Sequence, residues 1–303
     1  MGILISYLQQ YASIIKNSLK GVSKDSDYSL KEFLDICNIS NIQKLNLSSV
    51  KICCGNQSCD MDSVVSAITY SYLKYIKTSQ IILPVLNIPK EDLKLRKDIH
   101  NLLLKYGVKV DNDEKNPLTF IEDIKNFKRK MGKDIVVDAI LVDHNEPQGL
   151  GIECIDRVIG IIDHHEDTKK YDESLIKSLD NPLIIKTCGS CSSLVTNYWY
   201  PQLESVHALP EEIVKLSMAA VLLDTSNFKS KVEQGDREAL EKYKSYFANN
   251  KNVEDNMLKP FFKTLKKDKS DIEGFDMYGL LRKDFKLFEF HGYKIGMSSL
   301  GCS

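Results

Sequence analysis

Four short apolar runs, at residues 50–54, 81–86, 135–142 and 158–162, alternate with longer segments whose apolar residues recur at helical spacing. No other feature of this chain constrains its fold as strongly. Near-continuous apolar runs suit strands buried on both faces, and intervening helices supply the crossovers that parallel strands need. Residues 62–77 read as one such helix, with Val65, Ile68, Tyr72 and Ile76 on a shared face, and residues 92–106 read as another. Pro210 followed by Glu211 and Glu212 starts a further helix running to about Leu223. Two helices precede the first strand, one ending near Gly21 and one at 30–37. The expected fold is α/β: a parallel sheet with helices on both faces.

Composition shifts after Asp224. Residues 229–271 are rich in charge, and β-like segments begin near Leu280 and continue through 285–290 and 293–298. A boundary near residues 235–250 is therefore expected, which suits a chain of 303 residues. The formal net charge of -1 offers no basic field, so a nucleic-acid partner is not expected. An anionic substrate would have to be met by local Lys and Arg or by metal ions. No apolar run approaches the roughly 18 residues that cross a membrane. The start at Gly2 fits a weak N-myristoylation pattern, but Leu4, Leu8, Tyr11 and Ile15 fit an amphipathic helix better. No secretory signal is visible, so a cytoplasmic location with reduced thiols is expected for the eight cysteines. Cys188 and Cys191 have CxxC spacing without a second ligand pair, which argues against structural zinc.

Acids and histidines gather where the strands end. Asp143-His144-Asn145 follows one apolar run, Asp163-His164-His165 another, and Asn56 through Ser63, with Asp60 and Asp62, a third. Ligands of parallel α/β sheets bind beyond the carboxyl ends of the strands. Carboxylates mixed with imidazoles suit Mg²⁺, Mn²⁺ or Co²⁺, and two such ions can share a bridging carboxylate and acidify a water. A lone Asp in such a place is usually a helix cap; three converging clusters are not explained that way.

These segments, together with Gly189-Ser190-Cys191-Ser192-Ser193 and Leu223-Asp224-Thr225, resemble the successive motifs of the DHH superfamily of phosphoesterases. The resemblance covers roughly residues 45–235. Asp284 through Phe288, followed by 294–299, is similar to the opening of the DHHA2 domain that accompanies one branch of that superfamily. The resemblance implies a DHH domain at 1–235, with a helical extension at 1–44, and a smaller, partial α/β DHHA2 domain at 250–303. It further implies two divalent metal ions, Mg or Mn and alternatively Co. Asp60, Asp143 and Asp224 would hold one and Asp62 with His164 would complete the second, Asp143 and Asp224 bridging. His165, His144 and Lys286 would meet substrate phosphate, Asp163 would orient a histidine, and Ser190 with nearby N–H groups would bind phosphate oxygens. Asn56 stands where pyrophosphatases of the superfamily carry His, which is the form of yeast-type exopolyphosphatases and prune-like proteins. The activity implied is stepwise hydrolysis of terminal phosphate from inorganic polyphosphate. Alternatives are a pyrophosphatase, a prune-like nucleotide phosphodiesterase, or a catalytically weak binding or scaffold protein. The last follows from the expected lack of the family's later basic residues.

Overall fold

The computed structural model describes residues 28–44, 47–110, 116–131, 135–172, 174, 176, 181–248 and 253–299. The Gly2 pattern and the first expected helix lie outside the described residues, as does Cys302.

Six strands form one parallel sheet: β1 (Ser49–Cys54), β2 (Leu83–Leu86), β3 (Thr119–Phe120), β4 (Val136–Val142), β5 (Arg157–Asp163) and β6 (Leu183–Ile185). Their order is β3-β2-β1-β4-β5-β6, and every neighbouring pair is parallel. Strands 1 and 4 carry the apolar runs that identify them: Ile52, Cys53, Cys54, Val137 and Ala139 through Val142 are all buried. Chain order reverses between β1 and β4, and the crevice beyond such a reversal is where α/β sheets bind ligands. The register aligns Cys54 with Leu141, so the loop after β1 and the turn after β4 emerge side by side.

The helices are α1 (Leu30–Ile36), α2 (Ile39–Ile42), α3 (Met61–Thr78), α4 (Lys97–Lys105), α5 (Ile121–Met131), α6 (Cys191–Trp199), α7 (Glu211–Asp224), α8 (Gln234–Tyr246), α9 (Lys259–Ser270) and α10 (Met277–Lys283). Helix α3 is buried from Met61 to Tyr75 and packs against α6 and α7. The helix expected at 92–106 is broken. A 3₁₀ turn (Lys90–Leu95) leads to Arg96 at φ -108°, ψ 64°, and α4 starts only after it. The cause is tertiary: the Arg96 guanidinium is drawn to the Ser58 carbonyl and, at 2.8 Å, to Asp284. Residues 277–283 are helical rather than the start of a strand; the two following segments do pair, as the antiparallel strands β7 (Phe285–Phe290) and β8 (Tyr293–Ser298). Their turn, His291 and Gly292, has positive φ at both residues (48° and 78°), which the twist of a tight hairpin favours.

This hairpin faces the sheet domain through polar contacts. The Gln57 side chain exchanges two hydrogen bonds with the Leu287 backbone, each 3.0 Å. Before the hairpin, Asp271 after α9 meets Lys97 at 2.8 Å, and Arg282 on α10 meets Asp92. No described helix is long and apolar enough to cross a membrane.

Candidate metal centre

The centre begins at Gly55, where a Cβ would lie 2.6 Å from the Ser63 Cβ. Only glycine lets the start of α3 sit this close to the end of β1. The approach brings the Ser63 hydroxyl to the Asn56 N–H, at 3.1 Å, and to Asp143 Oδ2, at 2.5 Å. Asp60 caps α3 by accepting from the Ser63 N–H at 3.1 Å. That frees Asp62, which reaches across to the N-terminus of α6. There it accepts from Ser190 Oγ (2.8 Å), the Cys191 N–H (2.6 Å) and the Ser192 N–H (2.9 Å). The donors expected to bind phosphate at this loop are directed at Asp62 instead.

Asp143 follows β4 in the left-handed region, at φ 63°, a conformation that Asp tolerates better than most residues. Its Oδ2 accepts from Asn56 Nδ2 at 2.7 Å, and its Oδ1 lies 3.0 Å from His164 Nε2. The Asn56 oxygen is spent on its own loop, accepting from the Ser58 N–H and hydroxyl and the Cys59 N–H. His164 Nδ1 donates to the Cys188 carbonyl at 2.9 Å, which leaves Nε2 directed at Asp143 and, at 3.8 Å, Asp62. This is how a ligating imidazole is commonly oriented: one nitrogen fixed by a carbonyl, the other turned to the ion. His165 Nδ1 sits 2.8 Å from Asp163 and 3.7 Å from Asp143, with half of its side chain exposed. Asp163 is fully buried and also accepts from Asn145 Nδ2, at 2.6 Å, and from the His164 N–H, at 2.8 Å. His144 is buried, its Nδ1 2.8 Å from the Val142 carbonyl and its Nε2 without a hydrogen-bond partner.

Charge follows from this geometry. Burial, reinforced by Asp62 and Asp60, pushes the Asp143 carboxyl up to about 7 against the lowering effect of His164. Asp62 is raised by burial and by Asp60. Asp224, ending α7, is pushed well up by burial and by the charges of Asp62 and Asp60, and its Oδ2 has no hydrogen-bond partner. Burial resists a charge on His164, yet Asp143 and Asp62 carry it up to about 10. The Asp163 hydrogen bond raises His165, whereas burial takes His144 down to about 4. Asp60 goes the other way. Burial resists its charge, but Lys269, the Ser63 N–H, Arg96 and Lys286 outweigh it.

Three of the four clustered carboxylates are thus forced toward protonation, a state that a divalent cation relieves by replacing the protons. The donor set therefore fits such an ion. Among the described residues, Asp143, His164 and His165 offer ligand atoms all within 4.8 Å of one another. Asp62 joins through His164, while Asp60 and Asp224 enter through their charges on the group. Two cations were not read from the sequence as part of the centre. Lys269, on α9, is partly buried among Asp60, Asp224, Asp98 and Asp284, which hold its charge against burial. Arg96 lies against the loop that carries Asp60. Nothing in the local spacing of Lys269 distinguishes it from its neighbours Lys266 and Lys267. The thiols of the CxxC pair are engaged elsewhere: Cys188 with Asp236, and Cys191 with the Ile162 carbonyl at 3.1 Å.

Residues 51–221, more than half of the chain, match the DHH family, N-terminal domain, and residues 263–303 match the DHHA2 domain. The chain belongs to the DHH family. A candidate exopolyphosphatase of Schizosaccharomyces pombe is 30% identical over 258 residues, covering 82% of this chain and 62% of that protein. Human exopolyphosphatase PRUNE1 is 26% identical over 251 residues, 81% of this chain and 51% of its own length. A manganese-dependent inorganic pyrophosphatase of Methanothrix thermoacetophila is 27% identical over 249 residues, 81% of this chain and 68% of its own length. This DHH chain thus spans between half and about two-thirds of the curated relatives' lengths. The crystal structure of a candidate family II inorganic pyrophosphatase of Methanococcus jannaschii shares the DHH fold. It superimposes with TM-score 0.55 at 21% identity, over 82% of this chain and 71% of that one.

Proposed function

We propose that this chain is a divalent-metal hydrolase of phosphoanhydride bonds that removes terminal phosphate from inorganic polyphosphate. The observation that carries the reading is the position of His164, with Nδ1 tied to the Cys188 carbonyl and Nε2 3.0 Å from an Asp143 carboxyl raised by burial. Relatives named exopolyphosphatase and manganese-dependent inorganic pyrophosphatase support it, since both names denote cleavage of P–O–P bonds. Asp60, Asp62, Asp143, His164 and Asp224 would hold a pair of Mg²⁺ or Mn²⁺ ions. Ions of this kind polarise phosphoryl oxygens and acidify water.

The remaining chemistry belongs to the protein. His165, its Nδ1 bonded to Asp163, favours the imidazolium and can donate from Nε2 to a phosphoryl oxygen. Asp163 holds that ring, and the Asn56 amide holds Asp143. Lys269 and Lys286 bring positive charge to the Asp60 side, where equatorial oxygens gain charge as the P–O bond breaks. Water adds to the terminal phosphorus and orthophosphate leaves. We further propose that the part up to residue 235 holds the ions and that residues 250–303 supply the lysines. Pyrophosphate is the second reading. The commitment of the Asn56 oxygen to its own loop favours polyphosphate, because pyrophosphatases of the superfamily carry an imidazole there.

The test is turnover of long-chain polyphosphate, pyrophosphate, a cyclic nucleotide and single-stranded DNA, with Mg²⁺, Mn²⁺ or Co²⁺ added, read as orthophosphate release from the first two and as nucleotide release from the others. Polyphosphate is expected to turn over fastest. Absence of release from all four, by folded protein shown to bind metal, sinks the proposal.

A further inference from the structure

The segment 188–193, a short loop that runs into the first turn of α6, serves both halves of the centre. Its Cys188 carbonyl fixes His164, and its Ser190, Cys191 and Ser192 donors fix Asp62. What holds the loop in turn is a residue that no motif includes. Asp236, in the first turn of α8, is fully buried and takes four donors. The Gly189 N–H (2.8 Å) and the Glu233 N–H (2.8 Å) reach its Oδ2, and the Ser193 hydroxyl (2.7 Å) and Cys188 thiol (3.2 Å) reach its Oδ1. The Glu233 bond is an ordinary helix cap; the other three cross 43 to 48 residues of chain to one short segment, the loop before α6 and its first turn. A buried carboxylate persists where its oxygens are satisfied in this way.

The backbone repeats the message. A Cβ on Gly189 would lie 2.4 Å from the Lys231 carbonyl, 2.7 Å from Asp236 Oδ2 and 2.8 Å from Thr225 Cγ2. Thr225 and Lys231 belong to the turn that follows Asp224, so the same close approach gathers a further carboxylate-bearing segment onto the loop.

We infer that Asp236 is a positioning residue of the metal centre, clamping the loop 188–193 so that it orients His164 and Asp62. The inference rests on the metal reading above. Asp236 touches neither ligand and acts only through the loop.

The test compares Mn²⁺ binding by the full chain with that by Asp236→Asn, followed by electron paramagnetic resonance, alongside the His164 Nδ1–H signal in the NMR spectrum of metal-free protein. Asn keeps the shape, but its amide nitrogen cannot accept, so at least one pair of donors loses its partner. Mn²⁺ affinity is expected to fall about 10–100-fold, with the imidazole signal shifted or lost. Equal affinity and an unchanged imidazole signal overturn the inference while leaving the metal reading intact. A wild-type chain that binds no Mn²⁺ removes the metal reading and the inference with it. Should Asp236→Asn fail to fold, Ser193→Ala carries the test: a loss of about threefold with the same imidazole shift supports the clamp, and no loss refutes it. Phe127→Leu, in the buried face of α5, is the control. It should lower the melting temperature and leave Mn²⁺ affinity alone; an equal loss of affinity there would assign the effect to general destabilisation and overturn the clamp.

Discussion

At the strand ends, Asp62, Asp143, Asp163, His144 and Asn56 are all 4% exposed or less, and each carboxylate oxygen placed there has a protein donor or an imidazole beside it. The C-terminal hairpin is the reverse: Tyr293 is 74% exposed and Met297 60%, and ion pairs of the residues just before it, Asp271, Arg282 and Asp284, join that stretch to the sheet domain. Bridges such as Lys97–Asp271, with side chains 23% and 41% exposed, are screened by solvent and hold the segment weakly. The contrast teaches a division of labour. The ligand cluster is set at the sheet's strand ends, whereas of the two lysines proposed to meet substrate Lys286 stands on the exposed hairpin and Lys269 on α9, which packs Phe261 and Leu265 into the core.

The harshest test of that division is Asp143→Asn. The substitution keeps the shape and the bonds to Asn56 and Ser63 but removes the charge shared with His164. Phosphate release is expected to fall by about 10³-fold or more, by analogy with the loss of one preorganised electrostatic group. The metal-free melting temperature should hold or rise, because a carboxyl that burial forces up to about 7 has been neutralised. Activity lost only in step with unfolding would break the comparison.

Next in size is the pH dependence of the metal-free protein. Asp143 and His164 both bind protons more tightly folded than unfolded, being raised from 3.8 to about 7 and from 6.5 to about 10. The stability they contribute is fully present below the unfolded values and is lost as pH rises through the folded ones. Metal-free melting temperature should therefore fall between about pH 5 and 9. Mn²⁺ takes the place of those protons, so its stabilising shift should be larger at pH 8 than at pH 6. Calorimetric scans across that range check it, and an equal shift at both pH values would contradict a metal held by these groups.

How much of this could be read from the chain follows the same division. Strands 1, 2, 4 and 5 were legible because buried parallel strands are continuous apolar runs, and the polar residues after them marked the site. The two-residue strand Thr119–Phe120 and the partly buried Leu183–Ile185 carry too little pattern. From the sequence both Asp60 and Asp62 are expected as ligands, and nothing there marks Asp60 as the cap of α3. Their roles part only when Gly55 lets Ser63 approach: Asp60 then caps α3, and the Asp62 side chain turns to the donors at the start of α6. Arg96 and Lys269 were illegible because a cation becomes part of a site through what faces it across the fold, and spacing along its own helix says nothing of that. The helical period at 92–106 hid the break at Arg96 for the same reason.

The smallest effect is also the one that separates the two regions most sharply, because it has two signs. Lys269 sits among Asp60 and Asp224, so its charge competes with a bound cation as well as attracting an anionic substrate. In Lys269→Met the KM for polyphosphate should rise about tenfold, a loss of roughly 1.4 kcal/mol of binding. Mn²⁺ affinity should at the same time increase about threefold, since a like charge has gone. Lys286, on β7, also lowers Asp60 but stands last among the charges that do so. Its replacement by Met should raise KM by only about threefold and leave Mn²⁺ affinity unchanged. Steady-state kinetics and Mn²⁺ titration of the two variants give four numbers. If Lys269→Met weakened metal and substrate together, the lysine would be a support of the centre, and the boundary between sheet-held ligands and the cations of the C-terminal elements would have to move.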